Sequence, residues 1–410
     1  MTLLTSEKEK RLGVSNLSGC WPTPKQALLL KAALLRGPEA LDAWKEWHNE
    51  TDREALDFGS HRMLPQLYRN LQKHGVTGPE LATFRNVYQY YWYKNKVLFH
   101  RATELLRSFR KYGIDTMVLK GAGLVSLYYR YPGLRPMQDF DLAVPISQAT
   151  RAMDLLERFG WRSQFRAPEK RISIRHSTPY DNAEAQHIDL HWHVLGECWN
   201  FRRDEGFWRR SVPATIDGQP TRTLDGTDQL FHICAHGVEW QEVSPIRWIA
   251  DAMIILETAP LEIDWDRILQ LVETYRLGLP IYDGLSYLQR KFHAPVPEGI
   301  LKRLHLIPAT ESERFGYRVR TEPITEPTTG EILRQLKYEY FWLTGDVPIW
   351  RRPKLLVLWW QYKWKLERQW QLLFLLPSRA LRRLFRQAVH KPQGYLAADR
   401  RGLPAGRRAD

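Results

Sequence analysis

Long apolar runs are missing from this chain, and cysteine is scarce. No stretch of the 410 residues approaches the roughly 20 apolar residues that a membrane-spanning helix needs. The N-terminal M-T-L-L is followed at once by charges, which is too short an apolar segment for a signal peptide. The three cysteines, Cys20, Cys198 and Cys234, are odd in number and show no paired spacing. Free thiols in a reducing compartment follow, so the expected location is cytoplasmic. There is no internal repeat, and low complexity is confined to the Arg/Gly/Ala-rich last dozen residues. Acidic residues are also in deficit, 46 against 60 basic ones. The imbalance is local: residues 351–410 hold 15 Lys and Arg against 3 Asp and Glu, a surplus of 12 out of the total +14. The remainder is nearly neutral, which excludes a globally basic groove for long nucleic acid and leaves a basic tail.

What is present is an ordinary globular composition, 43% hydrophobic and 26% charged, with an unusual 17 tryptophans. The length suits two or three packed units.

The most informative stretch runs from Asp115 to Val144. A short apolar run, Met117 to Leu119, ends at Lys120-Gly121, and a helical segment follows over Leu124 to Arg130. A Pro/Gly loop carrying Arg135 leads into a strand where Asp139 and Asp141 alternate with Phe140, Leu142 and Val144. Strand periodicity places residues two apart on one face, so both carboxylates point the same way. Adjacent carboxylates repel unless a cation lies between them, and a hard ion such as Mg²⁺ (or Mn²⁺) meets that need. About fifty residues on, H-I-D-L-H-W-H-V has an apolar face of Ile188, Leu190, Trp192 and Val194 and a polar face of His187, Asp189, His191 and His193. A third carboxylate on a neighbouring strand is what a metal-assisted phosphoryl or nucleotidyl transfer site requires. The histidines do not spell structural zinc. Imidazoles two apart on a strand cannot close a tetrahedron alone, and no cysteine pair assists. Either His191 or His193 is expected to orient Asp189 or to touch the nucleotide. Lys120 is a candidate phosphate contact. Arg135 is open to two readings, an ion pair with a carboxylate of the acidic strand that follows it, Asp139 or Asp141, or a clamp on a phosphate. His236 and Asp251 are expected to make helix-packing hydrogen bonds.

L-K-G, then R-x-x-x-D-x-D on a strand, then D-L-H-W together resemble the DNA polymerase β-like nucleotidyltransferase superfamily, and more narrowly its uncharacterised bacterial nucleotidyltransferase branch. The resemblance covers roughly residues 55–300, including M-L-P-Q-L-Y-R-N-L at 63–71 and R-W-I-A-D at 247–251. It implies an α+β fold with a small mixed-sheet nucleotidyltransferase core, flanked by N-terminal and C-terminal helical units. It implies catalytic and metal-holding roles for Asp139, Asp141 and Asp189, with His191 and His193 behind them. An NTP donor and a hydroxyl-bearing acceptor (small molecule, sugar, protein or tRNA) come with it. One departure stands out. Where the superfamily reads Gly-Ser or Gly-Gly, this chain reads Gly121-Ala122. With no hydroxyl at Ala122, triphosphate binding rests on backbone N–H groups, a helix N-terminus and a cation, Lys120 or Arg135.

The chain divides as follows. Residues 1–20 are a flexible lead-in, 21–112 an N-terminal helical unit and 113–225 the core. Residues 226–320 form a helical domain, 321–330 a Pro/Thr-rich linker, 331–390 a basic aromatic helical segment and 391–410 a disordered tail. Within the core, Arg171 to His176 reads as a strand, Pro179 to Ala185 as an exposed loop, and Ala214 to Leu224 as a hairpin around Asp217-Gly218. Leu355 to Leu376 carries apolar residues at helical spacing with Lys363, Lys365 and Arg368 near the polar side. It is a core-docked helix, or a contact from residues 351–390 to an anionic membrane surface at the inner face, or to a partner protein. The leading expectation is a metal-dependent nucleotidyltransferase. The alternatives are a non-catalytic adaptor that docks through its basic C-terminus, and an AMP-transferring stress or toxin–antitoxin enzyme acting on protein or tRNA.

Overall fold

The computed structural model describes residues 20–52, 55–165, 168–184, 186–196, 203–239, 244–259, 263–321, 329–344, 347–363, 366 and 368–371. The lead-in before residue 20, Cys198, most of the linker and the tail from 391 lie outside the described residues. The chain forms two units, 1–322 and 323–410.

The first unit opens with helices α1 (Pro24–Leu34), α2 (Gly37–Glu50), α3 (Phe58–His61), α4 (Leu64–Lys73) and α5 (Pro79–Lys111). Helix α1 starts sharply because Thr23 and Gln26 form a reciprocal capping box with Pro24 in the first turn. Asp57 caps α3 by accepting from the Ser60 amide. Helices α1, α2, α4 and α5 pack around Leu29, Leu30, Trp47, Leu67 and Phe84, all nearly inaccessible to solvent. Helix α5 spans 33 residues and delivers the chain to the sheet.

The sheet strands are β1 (Met117–Val118), β2 (Phe140–Ala143), β3 (Arg162–Ser163), β4 (Ser177–Asp181), β5 (His187–His191), β6 (Val212–Ile216) and β7 (Gln219–Thr223). Their order is β3-β4-β5-β2-β1-β7-β6. β1 runs antiparallel to β2 and parallel to β7, while β2 runs parallel to β5. Helices α6 (Lys120–Leu127), α7 (Ala149–Arg158) and α8 (Glu205–Arg210) lie between the strands in sequence. The expected hairpin is β6–β7. Asp217 at φ 46° and Gly218 at φ 81° give the two positive-φ positions that a tight turn of matching twist demands.

Two local expectations fail. The strand expected over Arg171 to His176 does not form: a 3₁₀ helix, Pro168–Ser173, takes its first half, and residues 174–176 belong to no strand. The expected loop from Pro179 instead contributes to β4, with Pro179 opposite Asp189. β3 covers β4 only at Tyr180 and Asp181, so Pro179 lies beyond the end of β3, a place where strand proline is tolerated.

After the sheet come α9 (Gly226–Gly237), α10 (Arg247–Thr258), α11 (Trp265–Tyr275), α12 (Gly278–Phe292), α13 (Glu298–Leu306) and α14 (Glu311–Thr321). Asp225 and Asp264 cap α9 and α11 through the Asp228 and Arg267 amides. Helix α9 is buried along almost its whole length, packed among α10, α11, α12 and α6.

The second unit contains α15 (Thr329–Thr344) and α16 (Arg352–Lys363). The Trp359 indole donates to Glu339 Oε2 at 3.1 Å across these two helices. The helix expected to run to Leu376 is described as far as Lys363, with a 3₁₀ turn at Gln369–Gln371. Among the described residues no helix is long and apolar enough to cross a membrane.

Candidate active site

β2 and β5 are parallel neighbours in a register that sets Asp141 directly beside Asp189 and Ala143 beside His191. Side chains of paired residues share a face, and His191 lies two residues beyond Asp189 on that same face. Three potential donors are therefore placed by backbone register. Asp141 Oδ1 accepts from His191 Nε2 at 3.0 Å, and the same nitrogen lies 3.5 Å from Asp189 Oδ2. Ser177 on β4 donates to Asp189 Oδ2 at 3.4 Å. Asp141 and His191 are buried, and the Asp189 side chain keeps about a fifth of its surface exposed.

Lys120 enters from the other side. It follows β1, opens α6, and donates from Nζ to Asp141 Oδ1 at 2.5 Å. Its backbone sits at φ 46°, the left-handed region that a non-glycine residue enters at a cost of about 1–2 kcal/mol. Gly121 follows. A Cβ there would come within 2.7 Å of both Arg135 Nη1 and Met137 Sδ, so a larger residue would have to displace the Met137 side chain and an Arg135 guanidinium that is paired with Asp251. Ala122 is buried in the first turn of α6.

Asp139 precedes β2 and does not share its ladder. It is exposed, and it stands apart from the close group of Asp141, Asp189 and His191, whose ligand atoms all lie within 4.8 Å of one another. The coupling to Asp141 is electrostatic. Crowding by surrounding protein and then the Asp141 charge push the Asp139 pKa up. Burial likewise acts to raise Asp141, but Lys120 and His191 outweigh it and hold Asp141 well below the usual carboxylate range. Burial acts to lower Lys120 and His191, and the carboxylates overcome it in both. Lys120 is raised, and His191 is pushed up to about 9. Asp189 Oδ1 is buried and has no partner among the described residues. A partnerless carboxylate oxygen beside a second carboxylate and an imidazole is a donor set suited to a divalent cation.

The two residues left open by the sequence separate cleanly. Arg135 is committed to Asp251 on α10, through Nε to Oδ1 at 3.1 Å and Nη2 to Oδ2 at 2.8 Å. The Tyr129 hydroxyl donates to Asp251 Oδ1 at 2.8 Å, and Gln66 Nε2 donates to that hydroxyl at 3.0 Å. All four side chains are buried, and together they tie α4, the end of α6, the loop before Asp139 and α10 into one polar knot. Asn95 of α5 holds the same loop by donating to the carbonyls of Pro132 and Arg135, at 2.7 and 2.8 Å. Arg247 donates to the Pro136 carbonyl at 2.6 Å. His193 lies past the end of β5 and pairs with Asp204 at 2.9 Å, away from the carboxylates.

Sequence reading did not assign Asp251 to Arg135 or Asp204 to His193. Asp251 carried one usable signal, its i+4 spacing from Arg247 on an amphipathic helix. Nothing in the spacing marked Asp204. Two further imidazoles back the site. The His176 ring lies 5.4 Å from that of His191. His232 on α9 is depressed to about 3 by burial and then by the Lys120 and His191 charges.

A mixed sheet whose parallel β2–β5 pair sets two carboxylates beside a lysine at a helix N-terminus, with helical flanks, defines an α+β nucleotidyltransferase-type protein. The chain belongs to the family described as uncharacterised nucleotidyltransferase, whose profile matches residues 59–293. Among curated proteins, none matches. The solved structures similar at low level include these two. One is the antibiotic-resistance factor ANT(2'')-Ia, at 12% identity and TM-score 0.31, over 49% of this chain and 97% of that one. The other is an antigenic nucleotidyltransferase-like protein from Paracoccidioides brasiliensis, at 14% identity and TM-score 0.32, over 50% and 92%. Likenesses at that level carry no weight for substrate or mechanism.

Proposed function

We propose that this chain is a metal-dependent enzyme that moves a nucleotidyl group from an NTP to a hydroxyl of its acceptor. The observation that carries the reading is the Asp141–Asp189 register pair with its partnerless Asp189 oxygen beside Lys120. Asp141 and Asp189, with Asp139 at the open side, would hold a divalent cation, Mg²⁺ or Mn²⁺. When bound, that ion supplies charge neutralisation and Lewis-acid polarisation of the phosphates. In the transfer, the acceptor oxygen forms a bond to the α-phosphorus, the bond to the β-phosphate oxygen breaks, and pyrophosphate leaves. Asp189 would take the hydroxyl proton, a reading supported by an Oδ1 without a hydrogen-bond partner among the described residues. Lys120 and the first-turn amides of α6 would face the triphosphate, which takes the place of the hydroxyl missing at Ala122. Arg135 would act at one remove, through the loop under Gly121. Catalysis on this plan is positioning plus electrostatic stabilisation.

The test is calorimetric titration of each NTP with Mg²⁺ into the wild type and into Asp141→Asn and Asp189→Asn, with far-UV circular dichroism as the folding control. At least tenfold weaker binding is expected in both variants. Equal binding by all three proteins, or binding by none, removes the proposal.

A further inference from the structure

We propose that Asp141, Asp189 and His191 form a mixed oxygen–nitrogen cation site that takes Mn²⁺ in preference to Mg²⁺, with His191 Nε2 as a direct ligand. The inference rests on the metal dependence proposed above and not on nucleotidyl transfer. Its first support is geometric. Adjacent ligands of an octahedral ion at about 2.1 Å lie about 3 Å apart. His191 Nε2 stands 3.0 Å from Asp141 Oδ1 and 3.5 Å from Asp189 Oδ2, so the nitrogen already occupies one corner of a coordination face. The second support is the absence of a competing anchor. The ring is 1% exposed, and its Nδ1 has no partner among the described residues, so nothing draws the imidazole off the carboxylates. The third is the rigidity of the frame. Two of the donors come from one strand and the third from its register partner, which leaves little freedom for an all-oxygen rearrangement.

The chemistry of the donor set then decides the ion. Mg²⁺ is bound through oxygen and keeps its waters, whereas an imidazole nitrogen shifts preference along the first-row series towards Mn²⁺ and beyond. Between the two ions that suit carboxylate oxygens, Mn²⁺ is the one on the first-row series and accepts a nitrogen donor more readily than Mg²⁺, while the later ions of that series would bind the same set more tightly still. Lys120 competes for Asp141 Oδ1 and sets the affinity without changing the ranking of ions.

The experiment titrates MnCl₂ and MgCl₂ separately into the full chain without nucleotide, at about pH 8, where a ligating ion displaces the proton that His191 Nε2 shares with Asp141. Free Mn²⁺ is followed by electron paramagnetic resonance, and Mg²⁺ by calorimetry and by competition. One Mn²⁺ per chain, bound at least tenfold more tightly than Mg²⁺, is expected. In His191→Gln the Mn²⁺ affinity should fall at least tenfold while Mg²⁺ binding changes less than threefold. Pulsed resonance on the wild-type Mn²⁺ complex supplies a readout independent of any variant, since a coordinated imidazole gives ¹⁴N modulation. Lack of that modulation, equal affinity for the two ions, or an unchanged Mn²⁺ affinity in His191→Gln overturns the proposal. Magnesium-supported NTP binding without ¹⁴N coupling would sink this inference and leave the transferase reading standing. Coupling without NTP binding would do the reverse.

Discussion

Asp251→Leu removes the acceptor of a buried guanidinium. Arg135 would keep its charge with no carboxylate opposite it and only the Pro136 carbonyl to donate to, at a cost of about 3–5 kcal/mol for breaking a buried pair from one side. The penalty is expected at the upper end, because Arg247 adds a second positive charge next to the same loop. Arg135→Met leaves Asp251 buried with only the Tyr129 hydroxyl donating to it, and about the same loss follows. The singles together therefore amount to about 6–10 kcal/mol. Changing both at once removes both charges and leaves one defect, a Tyr129 hydroxyl without its acceptor, worth about 1–3 kcal/mol. The double-mutant cycle should thus show a coupling of about 3–9 kcal/mol, measured by urea denaturation followed through tryptophan fluorescence. The double variant also separates the two readings of Arg135. If the guanidinium serves the loop and not the phosphates, NTP affinity in the double variant stays within about threefold of wild type. Additive losses, or a stable double variant that no longer binds nucleotide, would refute the assignment.

Lys120→Gly and Lys120→Ala lose the same ammonium but differ in the strain of the left-handed backbone. The glycine variant is expected to be about 1 kcal/mol the more stable, and an equal or lower urea midpoint would remove the strain argument. His232, depressed to about 3 in the folded chain, contributes stability that is complete above its ordinary value near 6.5 and is lost as pH falls towards 3. The gap in unfolding free energy between wild type and His232→Gln should therefore shrink by about 1.4 kcal/mol per pH unit on acidification below 6.5, and parallel curves would contradict it.

Periodicity made β2 and β5 readable, because an apolar face alternating with Asp or His survives in any single sequence. The Asp217-Gly218 hairpin was legible for the same reason: the signal is local. Asp139 was read as part of the strand, yet the ladder begins one residue later, and alternation alone cannot say where pairing starts. β4 was missed because Pro179 is a loop signal unless the end of β3 is known. Arg135 and Asp251 are 116 residues apart, and their meeting depends on how α10 packs over the loop, which no spacing rule encodes. The same holds for His193, whose alternation with Asp189 ends when the strand ends.

β1 is only two residues long, and it lies between a partner close in sequence and one that arrives about a hundred residues later. Thr223 of that late partner donates to the Val118 carbonyl and packs against Gly123, so it seats the turn that carries Lys120. Closing so long a loop is entropically slow. Until it closes, the β7-facing edge of β1 stays open to pairing with other chains. Conditions that stall refolding after β5 should therefore give aggregation before they give a loosened catalytic centre.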